Sequence, residues 1–99
     1  MNDLEYFSLR AAEKGNANEQ FEMGYMYACG VGMTQNHTKG FEWFMKAANQ
    51  GHAEAQYWLG LMYHNGLGTT QNRTKSREWI TKSANQGNAE AKEFLNDNF

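Results

Sequence analysis

Apolar residues recur along this chain at steps of three and four, with polar residues between them. In the best-defined stretch, Ala53, Tyr57, Gly60 and Tyr63 share that spacing, which puts them on one face of an α-helix over residues 53–65. Asn65-Gly66-Leu67-Gly68 follows, and Gly66 is expected to end the helix by entering the left-handed conformation that other residues avoid. A second stripe of Ser76, Trp79, Ile80, Ser83 and Ala84 predicts a helix over 73–86. Asn72 or Thr74 is placed to accept its first free N–H groups, and Gly87 to close it. The unit is a helical hairpin.

That hairpin repeats. Residues 17–52 and 53–88 align without gaps at a spacing of 36, and 19 of the 36 positions are identical. A period in this range marks a solenoid, in which each unit buries its apolar face on its neighbours. Gly24, Tyr27, Gly30 and Gly32 fall under Gly60, Tyr63, Gly66 and Gly68, and Asn49-Gln50-Gly51 under Asn85-Gln86-Gly87. Outward, Phe7 and Ala12 fall under Trp43 and Ala48, and Ala89 and Leu95 under Ala53 and Leu59. The chain therefore reads as one domain with a half repeat at 1–16, whole repeats at 17–52 and 53–88, and a half repeat at 89–99. Helices are predicted at 3–14, 17–29, 38–50, 53–65, 73–86 and 89–97. Gly24 and Gly60 each cost about 1 kcal/mol of helix propensity in mid-helix, which predicts helix crossings at both. Ala12, Ala48 and Ala84 are expected to serve the same end on the second helices. Phe7, Trp43 and Trp79 are expected to fill the volume between hairpins.

The residues Ala53-x-Ala55-x-Tyr57-x-Leu59-Gly60-x-Met62-Tyr63, then Gly66-x-Gly68, Lys75, Trp79 and Lys82-Ser83-Ala84-x-Gln86-Gly87 closely resemble the Sel-1-like repeat family, a relative of tetratricopeptide repeats. The resemblance implies an all-α fold, a right-handed α/α superhelix of stacked hairpins with about two and a half repeats of 36 residues. Two features depart from the family pattern. Met33 with Asn36, and Thr69 with Asn72, stand where Val and Asp are common; asparagine caps a helix about as well as aspartate, at the loss of one negative charge. The single Cys29 argues against the disulfide-stapled branch of the family. The family implies a non-catalytic adaptor that holds a protein or peptide. For a small bacterial protein, an antitoxin-like or effector-binding partner is the version that fits the size.

Composition narrows the alternatives. Nine Lys and Arg against eleven Asp and Glu leave a formal charge of −2, with no global field to attract nucleic acid or anionic lipid. No stretch approaches the roughly eighteen apolar residues of a membrane span. The N-terminal residues show no cationic start and apolar run, which favours a cytoplasmic location; a chain already cleaved of a signal would read the same, leaving periplasmic or secreted locations open. One cysteine and three histidines form no metal-ligand motif, and no cofactor is expected. The Gly-x-Gly elements lack a following Lys-Ser/Thr and are read as turns.

Binding residues are sought where the repeats differ, because matching positions already hold one hairpin on the next. Along the first helices Glu22 pairs with Trp58, Tyr25 with Leu61 and Ala28 with His64. Glu22, Tyr25, Glu54, Trp58, Leu61 and His64 are the partner-binding candidates, on helices expected to line a concave groove. The competing reading makes Trp58 and Tyr25 part of the core. Two rival functions remain. Leu4, Phe7, Phe94, Leu95 and Phe99 lie in half repeats, where their exposure would promote homo-oligomers and a self-assembling structural role. Cys29 with His37, His52 or His64 would suit a small hydrolase only if the two side chains meet within hydrogen-bond reach and a third group orients the base. Arg73, Lys75, Arg77 and Lys82 are read as a solvated face.

Overall fold

A computed structural model describes the backbone of residues 3–99 and the side chains from Tyr6 onward. Among the described residues there are six helices and no strand: α1 (Asp3–Glu13), α2 (Ala17–Cys29), α3 (His37–Asn49), α4 (Ala53–Asn65), α5 (Arg73–Asn85) and α6 (Ala89–Asn98). All lie within one residue of the sequence expectation, because the start and stop chemistry is local. The side chains of Asn16, Asn36, Asn72 and Asn88 each accept the N–H three residues on, and the Nδ1 of His52 does the same for Ala55 at 3.1 Å. These caps satisfy donors that no helix can satisfy within itself. Gly66 closes α4 at φ 69°, with its N–H donating to the Met62 carbonyl.

Each helix packs on the next to give an elongated array of 42 × 24 × 17 Å. The tightest crossings are within the hairpins, α2 on α3 and α4 on α5. A Cβ at Gly24 would stand 2.5 Å from Cδ1 of Phe44, and one at Gly60 would collide with Ile80. Phe44 and Ile80 are fully buried. The mid-helix glycines thus make room for the largest fully buried side chain of each second helix, Phe44 on α3 and Ile80 on α5, and burial of those side chains, at about 1.5–3 kcal/mol each, outweighs the lost helix propensity.

This corrects the expectation for Phe7 and Trp43, whereas Trp79 does pack on the core cluster that spans both hairpins. Phe7 is 67% exposed; Trp43 and Trp79 are half-buried, with Lys46 and Lys82 over their rings at 4.6 and 4.5 Å. The space between helices is filled one position later, by Phe44 and Ile80. On α3 the buried stripe is Gly40, Phe44, Ala47 and Ala48, so position 43 turns about 100° away from its centre. Ala12, Ala48 and Ala84 are buried as expected.

The terminal half repeats also divide. Phe94 and Leu95 pack on the cluster of Ile80, Ala84 and Ala91, whereas Phe99 is 42% exposed; Leu4 lies outside the described side chains.

Neighbouring hairpins are joined by amides as well as by apolar contact. Gln50 Nε2 donates to the Gly15 carbonyl at 2.9 Å and to Gln20 Oε1 at 2.7 Å, while Gln20 Nε2 donates to the Ala12 carbonyl at 3.2 Å. Thirty-six residues on, Gln86 donates to Gly51 at 2.8 Å and Gln56 at 2.9 Å, and Gln56 donates to Ala48 at 3.2 Å. Gln20 and Gln56 are 5% exposed. A buried amide stabilises only when it is hydrogen-bonded, so these clips fix how one hairpin sits on the next.

Candidate interaction surface

The first helices α2, α4 and α6 carry equivalent stripes at positions 18, 22 and 25, then 54, 58 and 61, then 90, 94 and 97. The i, i+4, i+7 spacing puts each stripe on one helix face. Tyr25 is 38% exposed, and its ring meets that of Trp58 edge-on at 5.8 Å. Trp58 in turn stacks on Phe44 at 5.8 Å. Trp58 therefore serves both readings: one face belongs to the core, and the other lines the surface.

Beside this pair a cleft of about 150 Å³ opens between the C-terminal ends of α2 and α4, lined by Ala28, Cys29, His37, Trp58, Leu61, Met62, Asn65 and Leu67. Its wall is held in place by a turn. Gly68, at φ 72°, rests on the backbone of His37 and Thr38, so Leu67 is fixed against the start of α3. A larger hollow of about 430 Å³ lies under the α2–α3 turn, but Gln35 and Asn36 in its lining already bond to the Ala28 carbonyl and the Lys39 N–H.

Of the sequence candidates, Tyr25, Trp58 and Leu61 come together. Glu22 and Glu54 are exposed on the same stripes. His64 stands apart, its ring edge-on to Phe94 at 5.2 Å and to Phe99 at 6.1 Å. Sequence reasoning passed over Phe94, which occupies the position of Trp58 in the 36-residue register. Its place in the terminal half repeat disguises it as an end residue, whereas it is the third member of a row.

The histidines separate. His52 caps α4, contacts Asn18 at 3.0 Å and stacks on Phe21 at 4.9 Å. His37 shares the cleft with Cys29, but its Nδ1 is buried with no hydrogen-bond partner to orient it. Among the described residues no group of three or more His, Cys, Asp or Glu converges to hold a metal ion. Three of the four cations of α5 lie against rings: Lys75 over Tyr63 at 5.6 Å, Arg77 over Phe99 at 5.9 Å and Lys82 over Trp79.

Near α6, burial first, then Glu90 and Glu93, push the Tyr57 phenol above its ordinary value of 10.0. A group whose pKa rises on folding contributes stability that is complete below its unfolded value and lost as pH climbs through the folded one. Ultraviolet titration is expected to show Tyr57 ionising above pH 10.0, and Glu90→Gln with Glu93→Gln to bring it part-way down.

The model of the Sel1 repeat matches residues 20–52 and 53–88. The chain belongs to the Sel1 repeat family. A Sel1 repeat protein from Oxalobacter formigenes has a crystal structure that superposes with a TM-score of 0.91, at 40% identity, over 93% of this chain and 69% of that one. A protective antigen present in uropathogenic Escherichia coli strains, with an SLR fold, matches at 38% identity and a TM-score of 0.83 over 88% of this chain, which spans 19% of that protein. The cysteine-rich protein B of Helicobacter pylori shares the fold at 20% identity, with a TM-score of 0.87 over 95% of this chain and 72% of that one. Comparison with curated protein sequences gives no match. Sel1 repeat proteins generally mediate protein–protein interactions and are generally non-catalytic. No helix of this Sel1 array is long and apolar enough to cross a membrane among the described residues.

Proposed function

We propose that this Sel1 repeat protein is a non-catalytic interaction module, and that its α2, α4 and α6 face forms the groove that takes up a segment of a partner protein. The observation that carries this reading is the Tyr25–Trp58 pair beside the apolar cleft: a part-exposed aromatic anchor, set on a packed ring and rimmed by polar groups. Such anchors supply most of the energy of protein interfaces. A packed array also holds them in place before binding, which reduces the entropy lost.

A photo-crosslinking residue at position 25 is expected to capture a partner in cells, and the same residue at position 43, on α3, is expected not to. Tyr25→Ala is expected to weaken binding of the captured partner by about tenfold or more, with stability changed by about 0.5 kcal/mol or less beyond the lost ring contact. Equal capture at both positions would sink the groove reading. Cys29 lines the cleft, but Cys29→Ser nearly keeps the size of the side chain, so binding is expected to persist, whereas a hydrolase built on that thiol would lose its function.

The self-assembly reading meets a conflict in the 36-residue register. If a second copy continued the array, its α1 would stand against α6 as α5 stands against α4. The Gln56–Gln86 clip would then become Lys92 against Lys14, and the Gly60 crossing would become Asn96 against Ser8. Two like charges in a buried clip repel, and asparagine fills the gap that glycine leaves open. The protein is therefore expected to sediment as a monomer, and the combination Lys14→Gln, Lys92→Gln, Asn96→Gly and Ser8→Ile to promote association. A wild type that assembles through α1 and α6 would contradict this.

A further inference from the structure

The two layers of helices differ in charge. The first helices α2, α4 and α6 carry Glu19, Glu22, Glu54, Glu90, Glu93 and Asp97 with Lys92 as their one cation, whereas the second helices α3 and α5 carry six Lys and Arg against Glu42 and Glu78. The exception is α1, a second helix by register, which is acidic, with Arg10 against Asp3, Glu5 and Glu13. A net charge of −2 conceals this segregation, because α3 and α5 offset most of the charge of the first helices. Within the first-helix stripes, Glu22, Glu54, Glu90 and Asp97 are all exposed. Lys92 stands off the stripes, at the position of Gln20 and Gln56.

The apolar positions of the same stripes form a diagonal. It runs from Tyr25 on α2, through Trp58 and Leu61 on α4, to Phe94 on α6. Tyr25 meets Trp58 at 5.8 Å, and Leu61 and Phe94 pack on one cluster. Glu22 and Glu54 lie on one side of this track, and Asp97 and Glu90 extend it on α6.

Resting on the groove reading above, we propose that the segment held by this face is basic and extended, with lysine or arginine interleaved with apolar side chains. The apolar track takes the apolar side chains, and the carboxylates flanking it take the cations. The cleft of about 150 Å³ beside Trp58 admits one aliphatic side chain. Four carboxylates with no cation among them would repel an acidic segment, so charge sets the choice of partner while the track supplies the affinity. The same α6 carboxylates act on Tyr57, whose pKa is raised first by burial and then by Glu90 and Glu93.

The test is to pan a random-sequence peptide library against the full chain and to measure the best-enriched peptide by fluorescence anisotropy. Enriched sequences are expected to carry net positive charge and spaced apolar residues. Affinity is expected to fall about tenfold as salt rises, and about tenfold or more in the combined variant Glu22→Gln, Glu54→Gln, Glu90→Gln and Asp97→Asn. Glu42→Gln with Glu78→Gln, on the second helices, should change nothing. Neutral or acidic sequences that still bind through Tyr25 would overturn the basic-segment proposal and leave the groove reading standing. Peptides indifferent to Tyr25→Ala, or no enrichment at all, would overturn both.

Discussion

Phe44→Ala is expected to destabilise the protein by about 3–5 kcal/mol, while Trp43→Ala next to it costs about 1 kcal/mol. Phe44 is fully buried, packs into the space over Gly24, and contacts the rings of Phe21 at 5.6 Å and Trp58 at 5.8 Å. Removing it leaves a cavity that the neighbouring backbone cannot close, because α2 and α3 are already pressed together at Gly24. A domain of this size has about 5–15 kcal/mol of total stability, so the variant stands near the unfolding threshold. Trp43 is half-buried and shares its ring with Lys46, so its loss exposes little new surface. Urea unfolding of both variants checks the contrast. Similar costs would mean that the second helices bury a different stripe.

The other large effect is expected at Gly68. Gly68→Ala combines two penalties: about 1–2 kcal/mol for an L side chain in the left-handed region, and the displacement of a backbone that has no room to move. A Cβ there collides with the carbonyl oxygen of His37 and would stand 2.6 Å from its carbonyl carbon. Together these cost about 3 kcal/mol or more. Gly51→Ala supplies the control, because Gly51 has φ 87° with nothing within 4 Å of its Cβ position, leaving only the conformational cost. Since Leu67 and His37 both line the cleft, Gly68→Ala is also expected to weaken groove binding, and Gly51→Ala is not. Equal destabilisation of the two variants would show that the Gly66-Leu67-Gly68 turn does not need its close approach to α3.

Much of this molecule was legible in one sequence because it is written twice. The helix limits follow from caps and stops within a few residues of each end; Asn36 and Asn72 and the closing glycines recur 36 residues apart, and His52 takes the cap position that falls between Asn16 and Asn88. The glycine crossings were legible for the same reason: a mid-helix glycine kept in both repeats costs stability unless a neighbour needs the space. Less could be read of the core stripe on α3 and α5. Tryptophan at 43 and 79 is the larger side chain, but Phe44 and Ile80 are the ones buried. Both Trp and its neighbour are apolar, so periodicity alone leaves a choice of one position, or about 100° of helix rotation. The crossing at Gly24 and Gly60 settles it.

The candidate surface divides in the same way. The differing positions Glu22, Tyr25, Trp58 and Leu61 could be found by comparing the repeats, but their contacts could not. Whether Trp58 belongs to core or surface depends on the rotation of α4 against α2 and α3, and it belongs to both. Phe94 was hidden because its row is completed only when α6 packs beside α4.

The sequence by itself determined the repeat, the helices, the caps and the family, because those depend on contacts within a few residues or on a pattern repeated along the chain. Tertiary structure alone decided which ring fills the hairpin and which glutamines clip one unit to the next. It also gathered the acidic first helices into one face bearing an apolar track. Those features arise between residues about 30 apart or more, as with Gln20 and Gln50, Gln56 and Gln86, or Tyr25 and Trp58, and they take shape only when one helix is laid against another.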